Sequence, residues 1–284
     1  TVDDTRKQAA IYNGVLENEE VRAEVKAAVG NMFSPSTLEV YAQCPFRFLG
    51  ERIWKQSEFI EKEELAAPTD MGTLVHECLA KFLGMHLQEK LPKYDFAVLW
   101  EDLKQELQNL CDEYIANGKL LQNELWGAEQ KRLLNMLHKW LRYEYDMQGK
   151  WDFVPCAVEW AFNNKEGAPL RLKLEDGQKF AIMGRVDRID KNGDKVFVTD
   201  YKLGSVPAVD DLPNGVDLQL PIYLLAANKL YGKEVAGGGY LSMKEGKRKN
   251  NEKLDASQEF PFMDKRSKDH FVNIEDRWLA FKDG

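Results

Sequence analysis

Up to about residue 150, apolar residues recur at three- and four-residue intervals, the spacing of one helical face. Glu19 to Val29 reads as a helix inside a weakly amphipathic stretch that begins at Thr5. In SPSTLEVYAQCPFRFLGERIW, Leu38, Tyr41 and Ala42 share a face. Either Ser34 caps that helix with Pro35 at its first position, or Ser36 and Glu39 form a capping box. Pro45 should bend or restart it. Ile60 to Thr69 is polar and reads as loop, and a helix opens at Asp70 with Leu74, Cys78, Leu79 and Phe82 as its stripe. Two more helices are predicted, Phe96 to Ala116 and Gln122 to Gln148. Leu103, Leu107, Leu110 and Tyr114 line the first, and Leu133, Leu137, Trp140 and Leu141 the second.

The pattern changes at Trp151. Phe153–Phe162, Leu170–Leu174, Phe180–Asp190 and Val196–Tyr201 read as strands, with turns at Asn163-Asn164, Asp176-Gly177 and Asn192-Gly193. A helix from about Gly215 to Leu230 carries Asp217, Gln219 and Tyr223, and Val235 to Met243 reads as a last strand. KEGKRKNNEK, residues 244–253, then reads as a solvated basic loop.

The hairpin between Phe180 and Lys202 brings chemistry into this pattern. Asn-Gly favours a tight turn, which would set Lys191 opposite Asp194, Asp187 opposite Val198 and Arg185 opposite Asp200. Alternation then sends Asp187, Asp200 and Lys202 out from one side and Asp190 from the other. Clustered carboxylates repel unless a cation, a proton or hydrogen bonds compensate. A hard divalent ion takes such oxygen ligands, and a nearby Lys can orient water; a solvated charged turn is the plainer reading. Glu159, among apolar neighbours in AVEWAF, is either a further ligand or an ion-pair partner. Gln219 and Tyr223 share a helical face where an amide and a phenol could hold a phosphate or a carboxylate. His76, His86 and His138, taken singly, read as structural or exposed side chains.

The 284 residues carry a formal charge of -8, so no overall basic field draws the chain to nucleic acid, although a local groove could. The apolar runs, such as Leu218 to Ala227, are too short to span a bilayer and no signal peptide opens the sequence, so no membrane association and a cytoplasmic location are expected. Cys44, Cys78, Cys111 and Cys156 are scattered without a CxxC pair and read as buried free thiols.

The order of GTLVH, GRVDRID, VTDYK and QLPIY resembles the RecB-like nucleases of the PD-(D/E)xK superfamily. SPSTLEVYAQCPFRF adds a likeness to the C-terminal nuclease domains of AddB-type helicase-nuclease subunits, and together the motifs cover Ser34 to Met243. The resemblance implies an α/β (α+β) fold, with a restriction-endonuclease-like core, a central mixed sheet flanked by helices and a large helical N-terminal portion. It implies Asp187, Asp200 and Lys202 as catalytic residues. His76, Asp187, Asp200, the Tyr201 backbone carbonyl and, from its position alone, Glu159 would hold Mg²⁺ or Mn²⁺, while Gln219 and Tyr223 would contact DNA. The implied activity is a metal-dependent deoxyribonuclease. An exonuclease of DNA recombination or double-strand-break repair is expected, acting on single- or double-stranded DNA with a helicase subunit or the helicase domain of a longer parent. A catalytically silent DNA-binding or scaffold module of such a complex is the alternative.

Relatives with an iron-sulfur cluster use a cysteine matching Cys44 plus three beyond the nuclease core. This sequence has no cysteine after Cys156, so no iron-sulfur cluster is expected in it as it stands, unless the ligands lie further along a longer parent. The expected organisation is a helical lead-in over residues 1–33, cut from such a parent, then a nuclease domain over 34–284. That domain divides into a helical part (34–150), a sheet-bearing catalytic core (151–243) and a C-terminal extension (244–284).

Overall fold

The computed structural model describes residues 18–56, 68–163, 165–174, 177, 179–204, 206–207, 217–232 and 234–243, with only the backbone described at 68–70. The start of the lead-in, most of the 60–69 loop, the basic run and the C-terminal extension lie outside these residues.

Helix α1 (Glu19–Val29) is capped by Asn18, whose Oδ1 accepts from the Glu20 amide at 2.8 Å. A short strand β1 (Met32–Phe33) leads into α2 (Pro35–Gln43). The first of the two capping readings is the one found: Ser34 Oγ accepts from Thr37 N at 3.2 Å with Pro35 at the first helical position. Pro45 restarts the helix as α3 (Pro45–Phe48), which runs into a π-helical turn over Leu49–Ile53.

Three long helices form the main core. They are α4 (Pro68–Gly84), α5 (Phe96–Ala116) and α6 (Trp126–Gln148). α4 begins two residues earlier than predicted, because Pro68 suits a first helical turn whose N–H groups have no partner anyway. α6 begins at Trp126 rather than Gln122, since Asn123 folds the chain into a turn, its Oδ1 accepting from Leu125 N at 2.9 Å. The predicted stripes pack together, with Leu74, Leu79, Phe82, Leu103, Leu110, Leu133, Leu137, Trp140 and Leu141 fully buried. Each such leucine withdrawn from water contributes roughly 1.5–3 kcal/mol.

The second half builds two sheets. In the larger, β2 (Val154–Phe162), β5 (Gly184–Asn192), β6 (Lys195–Lys202) and β7 (Glu234–Ser242) follow the order β2-β5-β6-β7. The first two pairings are antiparallel and β6–β7 is parallel, which makes the sheet mixed. The smaller sheet sets β4 (Lys179–Ile182) between β1 and β3 (Leu170–Lys173). The continuous strand expected over Phe180–Asp190 is therefore two strands in two sheets. β1 takes the ladder of the first piece, with Ala181 N donating to Asn31 O and Met183 N to Phe33 O at 2.8 Å each. The chain re-enters the larger sheet at Gly184, where a Cβ would lie 2.6 Å from Phe162 Cζ and 3.0 Å from Tyr223 Cε1. Glycine is what lets the backbone pass between those rings.

The β5–β6 register also differs from the predicted one. Asn192 pairs with Lys195, so Gly193 and Asp194 form the loop, with Gly193 at φ +58 in its first position as a type II′ turn requires. Ile189, not Asp187, therefore faces Val198, and Arg188 faces Thr199. The slip is two residues, so every side chain keeps its predicted face.

The larger sheet lies between the helical core, which takes up Tyr201, Leu241 and Met243, and helix α7 (Gln219–Ala226), which packs on Val196 and Val198. α7 is shorter than predicted and continues as a π-helical turn over Ala227–Tyr231. It approaches closely because Gly238 of β7 has no Cβ: one would meet Leu224 Cδ2 at 2.7 Å and Val198 O at 3.0 Å. The cysteine expectation holds in part. Cys78 and Cys111 are buried thiols, Cys44 is exposed at the α2–α3 corner and Cys156 is half-buried, its Sγ 3.3 Å from Tyr231 Oη.

Candidate active site

The start of β5, the end of β6, the middle of α4 and the start of α7 meet over one patch. Asp187 lies where the β5–β6 ladder stops, and its Oδ2 accepts from the Tyr201 main-chain amide at 2.7 Å. Asp187 Oδ1 lies 3.3 Å from His76 Nδ1. Asp200, one strand across and 1% exposed, pairs with Lys202 Nζ at 2.9 Å. Gln219 Nε2 donates to Asp200 Oδ1 at 2.8 Å and to Tyr223 Oη at 3.1 Å, while its Oε1 accepts from Lys202 Nζ at 2.5 Å. The ammonium of Lys202 also stands 5.1 Å from the centre of the Tyr240 ring, a cation–π distance.

Glu159 enters from β2. Its neighbours Val158 and Trp160 pair with Arg188 and Val186, which places Glu159 opposite Asp187. Its φ is +48, a left-handed conformation that costs a residue with a Cβ about 1–2 kcal/mol. The strained backbone belongs to a carboxylate that shares a cluster: ligand atoms of His76, Glu159 and Asp187 all lie within 4.8 Å of one another. Glu159 Oε2 is also 3.7 Å from Arg185, so both readings of this residue have a contact behind them. A cavity of about 590 Å³ opens over the three, bordered by Gly72, Lys81 and Arg185.

Electrostatics follow from this crowding. Burial and then the charge of Asp187 push the Asp200 carboxyl up to about 7, with Lys202 working against them. Burial and Asp187 likewise raise Glu159. Burial alone would lower His76, but its hydrogen bond to Asp187 and the charges of Asp187, Asp200 and Glu159 outweigh it and raise the imidazole. Lys202 is raised in the same manner, Asp200 overcoming desolvation. The patch holds more negative charge than its cations offset, the condition a divalent cation relieves. The donor set fits such an ion, being two carboxylates and an imidazole with a third carboxylate adjoining.

The structure thus brings together His76, Glu159, Asp187, Asp200, Lys202, Gln219 and Tyr223, and the Tyr201 main chain joins through its amide. Asp190 points elsewhere, to Arg188. One contributor has no sequence signal of its own. Glu39, which reads locally as half of a capping box, instead accepts from both Leu218 N and Gln219 N at 2.9 Å, fastening α2 to the first turn of α7. Asp217, expected inside that helix, precedes it and accepts from Tyr240 Oη at 2.6 Å.

Residues 32–280 match the PD-(D/E)XK nuclease superfamily. The chain is 30% identical over 264 residues to an ATP-dependent helicase/deoxyribonuclease subunit of Carboxydothermus hydrogenoformans, covering 88% of this chain and 23% of that protein. It is 30% identical over 218 residues to the protein of the same name from Clostridioides difficile, covering 74% and 18%. Against that of Clostridium tetani it is 30% identical over 205 residues, covering 67% and 17%. The chain spans less than a quarter of the length of these relatives. With the superfamily match reaching from the strand before α2 past the end of β7, the chain belongs to the PD-(D/E)XK nuclease superfamily.

Proposed function

We propose that this chain is a divalent-cation-dependent deoxyribonuclease domain, hydrolysing DNA phosphodiester bonds as an exonuclease within a helicase-nuclease that serves recombination or double-strand-break repair. The observation that carries the reading is the convergence of Asp187, Asp200 and Lys202, from two adjacent strands, beside the cavity that Asp187 lines with His76 and Glu159. The relatives' shared name, a helicase/deoxyribonuclease subunit, supports DNA as substrate and a helicase as partner.

His76, Glu159, Asp187, Asp200 and the Tyr201 carbonyl would hold Mg²⁺ or Mn²⁺. Bound there, the ion supplies Lewis-acid polarisation of a phosphoryl oxygen and lowers the pKa of water. Asp187 is fixed for this task by the Tyr201 amide, and Asp200 by Gln219. Lys202 is kept protonated by Asp200 and directed by Gln219 Oε1, so its ammonium orients the attacking water and offsets charge building on the phosphate. Gln219 and Tyr223, linked at 3.1 Å, seat the strand beside the reacting phosphate. The chemistry needs no covalent enzyme intermediate.

The test is incubation of end-labelled single- and double-stranded DNA with Mg²⁺, Mn²⁺ or chelator. Cleavage that requires the cation and is lost in folded Asp187→Ala and Lys202→Ala variants is expected. Cleavage in chelator, or full activity in those variants, would falsify it. DNA binding without cleavage, even with a helicase partner supplied, would favour the silent-module alternative.

A further inference from the structure

Arg185 borders the site and pairs with Glu159, yet the chemistry proposed above assigns it no part. Its side chain is half exposed and lines two cavities: the one over His76, Glu159 and Asp187, and another of about 400 Å³ bordered by Ser34, Ser36, Asn163, Gln219 and Tyr223. Its backbone follows directly on Gly184, which passes against the Tyr223 ring, so its position is tied to the α7 face. The guanidinium is held from outside by Glu166, at 3.1 and 3.4 Å, and from inside by Glu159 at 3.7 Å. Glu166 is itself more than half exposed, and an exchange of partners on a surface pair costs little.

We infer that Arg185 is a substrate-contacting residue, binding the DNA phosphate next to the scissile one where the strand passes from the cation-binding cavity to the Gln219–Tyr223 cavity. This rests on the nuclease reading above. A guanidinium presents a planar fork that grips two phosphate oxygens, and among the described residues it is the cation on the boundary shared by the two cavities. Glu166 and Glu159 keep it extended along that boundary until a phosphate takes their place. Since Glu159 also belongs to the cation-binding cluster, an ion that occupies this carboxylate frees one of Arg185's partners for the phosphate.

The experiment compares wild type, Arg185→Gln, Arg185→Lys and Glu166→Gln. Binding of a fluorescent single-stranded oligonucleotide is read by anisotropy across a salt series, with Ca²⁺ in place of Mg²⁺. Mn²⁺ binding without DNA is read by calorimetry, and folding by thermal melting. Arg185→Gln should weaken DNA binding roughly three- to tenfold and lower the slope of log affinity against log salt by about 0.7, one phosphate's share on a single strand. Its Mn²⁺ binding and melting should hold. Arg185→Lys should keep the slope while losing affinity, and Glu166→Gln should bind DNA at least as tightly as wild type. Unchanged affinity and slope in Arg185→Gln, where the wild type binds, overturns the inference alone. So does a DNA-binding loss that only tracks a loss of Mn²⁺ binding. A wild type that neither binds nor cleaves DNA overturns the nuclease reading and this inference with it.

Discussion

On one face of the β5–β6 hairpin Arg188, 1% exposed, meets Glu144 and Asp190 at 2.8 Å each and Tyr201 Oη at 3.3 Å. Glu144 is bound in turn by Gln148, whose Oε1 accepts from Leu91 N at 2.8 Å. On the other face Asp187 and Asp200 lie among Glu159, His76 and Lys202 beneath a cavity. Residues one apart in sequence thus serve a closed network and an open one. In the closed network a buried cation is enclosed by carboxylates and a phenol, and neither cavity is lined by its members. In the open one the charges are left short of cations beside space that can take a ligand. The contrast separates charge that holds the sheet to α6 from charge kept for chemistry.

Breaking the closed network should have the largest effect. Arg188→Ala leaves Glu144 and Asp190 buried without their cation and should cost about 3–5 kcal/mol in urea unfolding. Replacing all three by apolar residues of like volume should restore most of that. If Arg188→Ala were neutral, the network would not be what anchors β5. The open face should answer in the opposite sense. Asp200→Asn removes a carboxylate crowded by Asp187 and retains the acceptor for Gln219, so melting in chelator should hold or rise. Cleavage should nonetheless fall by roughly 10²–10³-fold, the scale of a lost electrostatic contact to the transition state. A stability loss to match Arg188→Ala would erase the distinction between the faces.

Much of this contrast is legible in the sequence because strand alternation is insensitive to a slip of two. The hairpin register differs from the one the turn residues suggest, yet Asp187, Asp200 and Lys202 still share a side and Asp190 still points away. The helices of the core are legible for a like reason, their stripes being long enough to define a period. The break at Met183 is not, since β1 has two residues and no period, and it is β1 that captures β4. Nor is the role of Glu39, whose partners are some 180 positions away while the local pattern with Ser36 offers a sufficient explanation. The positive φ of Glu159 falls within a run that reads as ordinary strand, and no local signal announces it.

Glu39 permits a finer test of how the open face is held. Glu39→Ala strips the acceptor from two amides of the first turn of α7 and should cost about 0.5–2 kcal/mol. Gln219 would then be held less firmly against Asp200 and Lys202, so cleavage should decline with little change in cation binding. Glu39→Gln keeps one acceptor oxygen and should recover part of both losses. A decline in cation binding equal to that in cleavage would mean that α7 supports the donor cluster itself.

The smallest effect separates two histidines as the faces separate their charges. His76 stands among carboxylates, whereas His86, 7% exposed, packs against the rings of Phe82 and Tyr94 with neither ring nitrogen hydrogen-bonded among the described residues. Burial lowers the His86 pKa, against the weaker pull of Asp102 and Glu89. The unfolded chain takes up this proton near the ordinary value of about 6.5, while the folded chain resists it to lower pH. The unfolded state therefore binds more protons in that window, and the His86 contribution makes stability fall as pH drops below about 6.5. His86→Leu should flatten this limb of a urea-midpoint profile and leave the neutral side little changed. Because His76 titrates in both proteins, the difference between the two profiles isolates His86, and parallel profiles would show that its ring reaches water when the proton arrives.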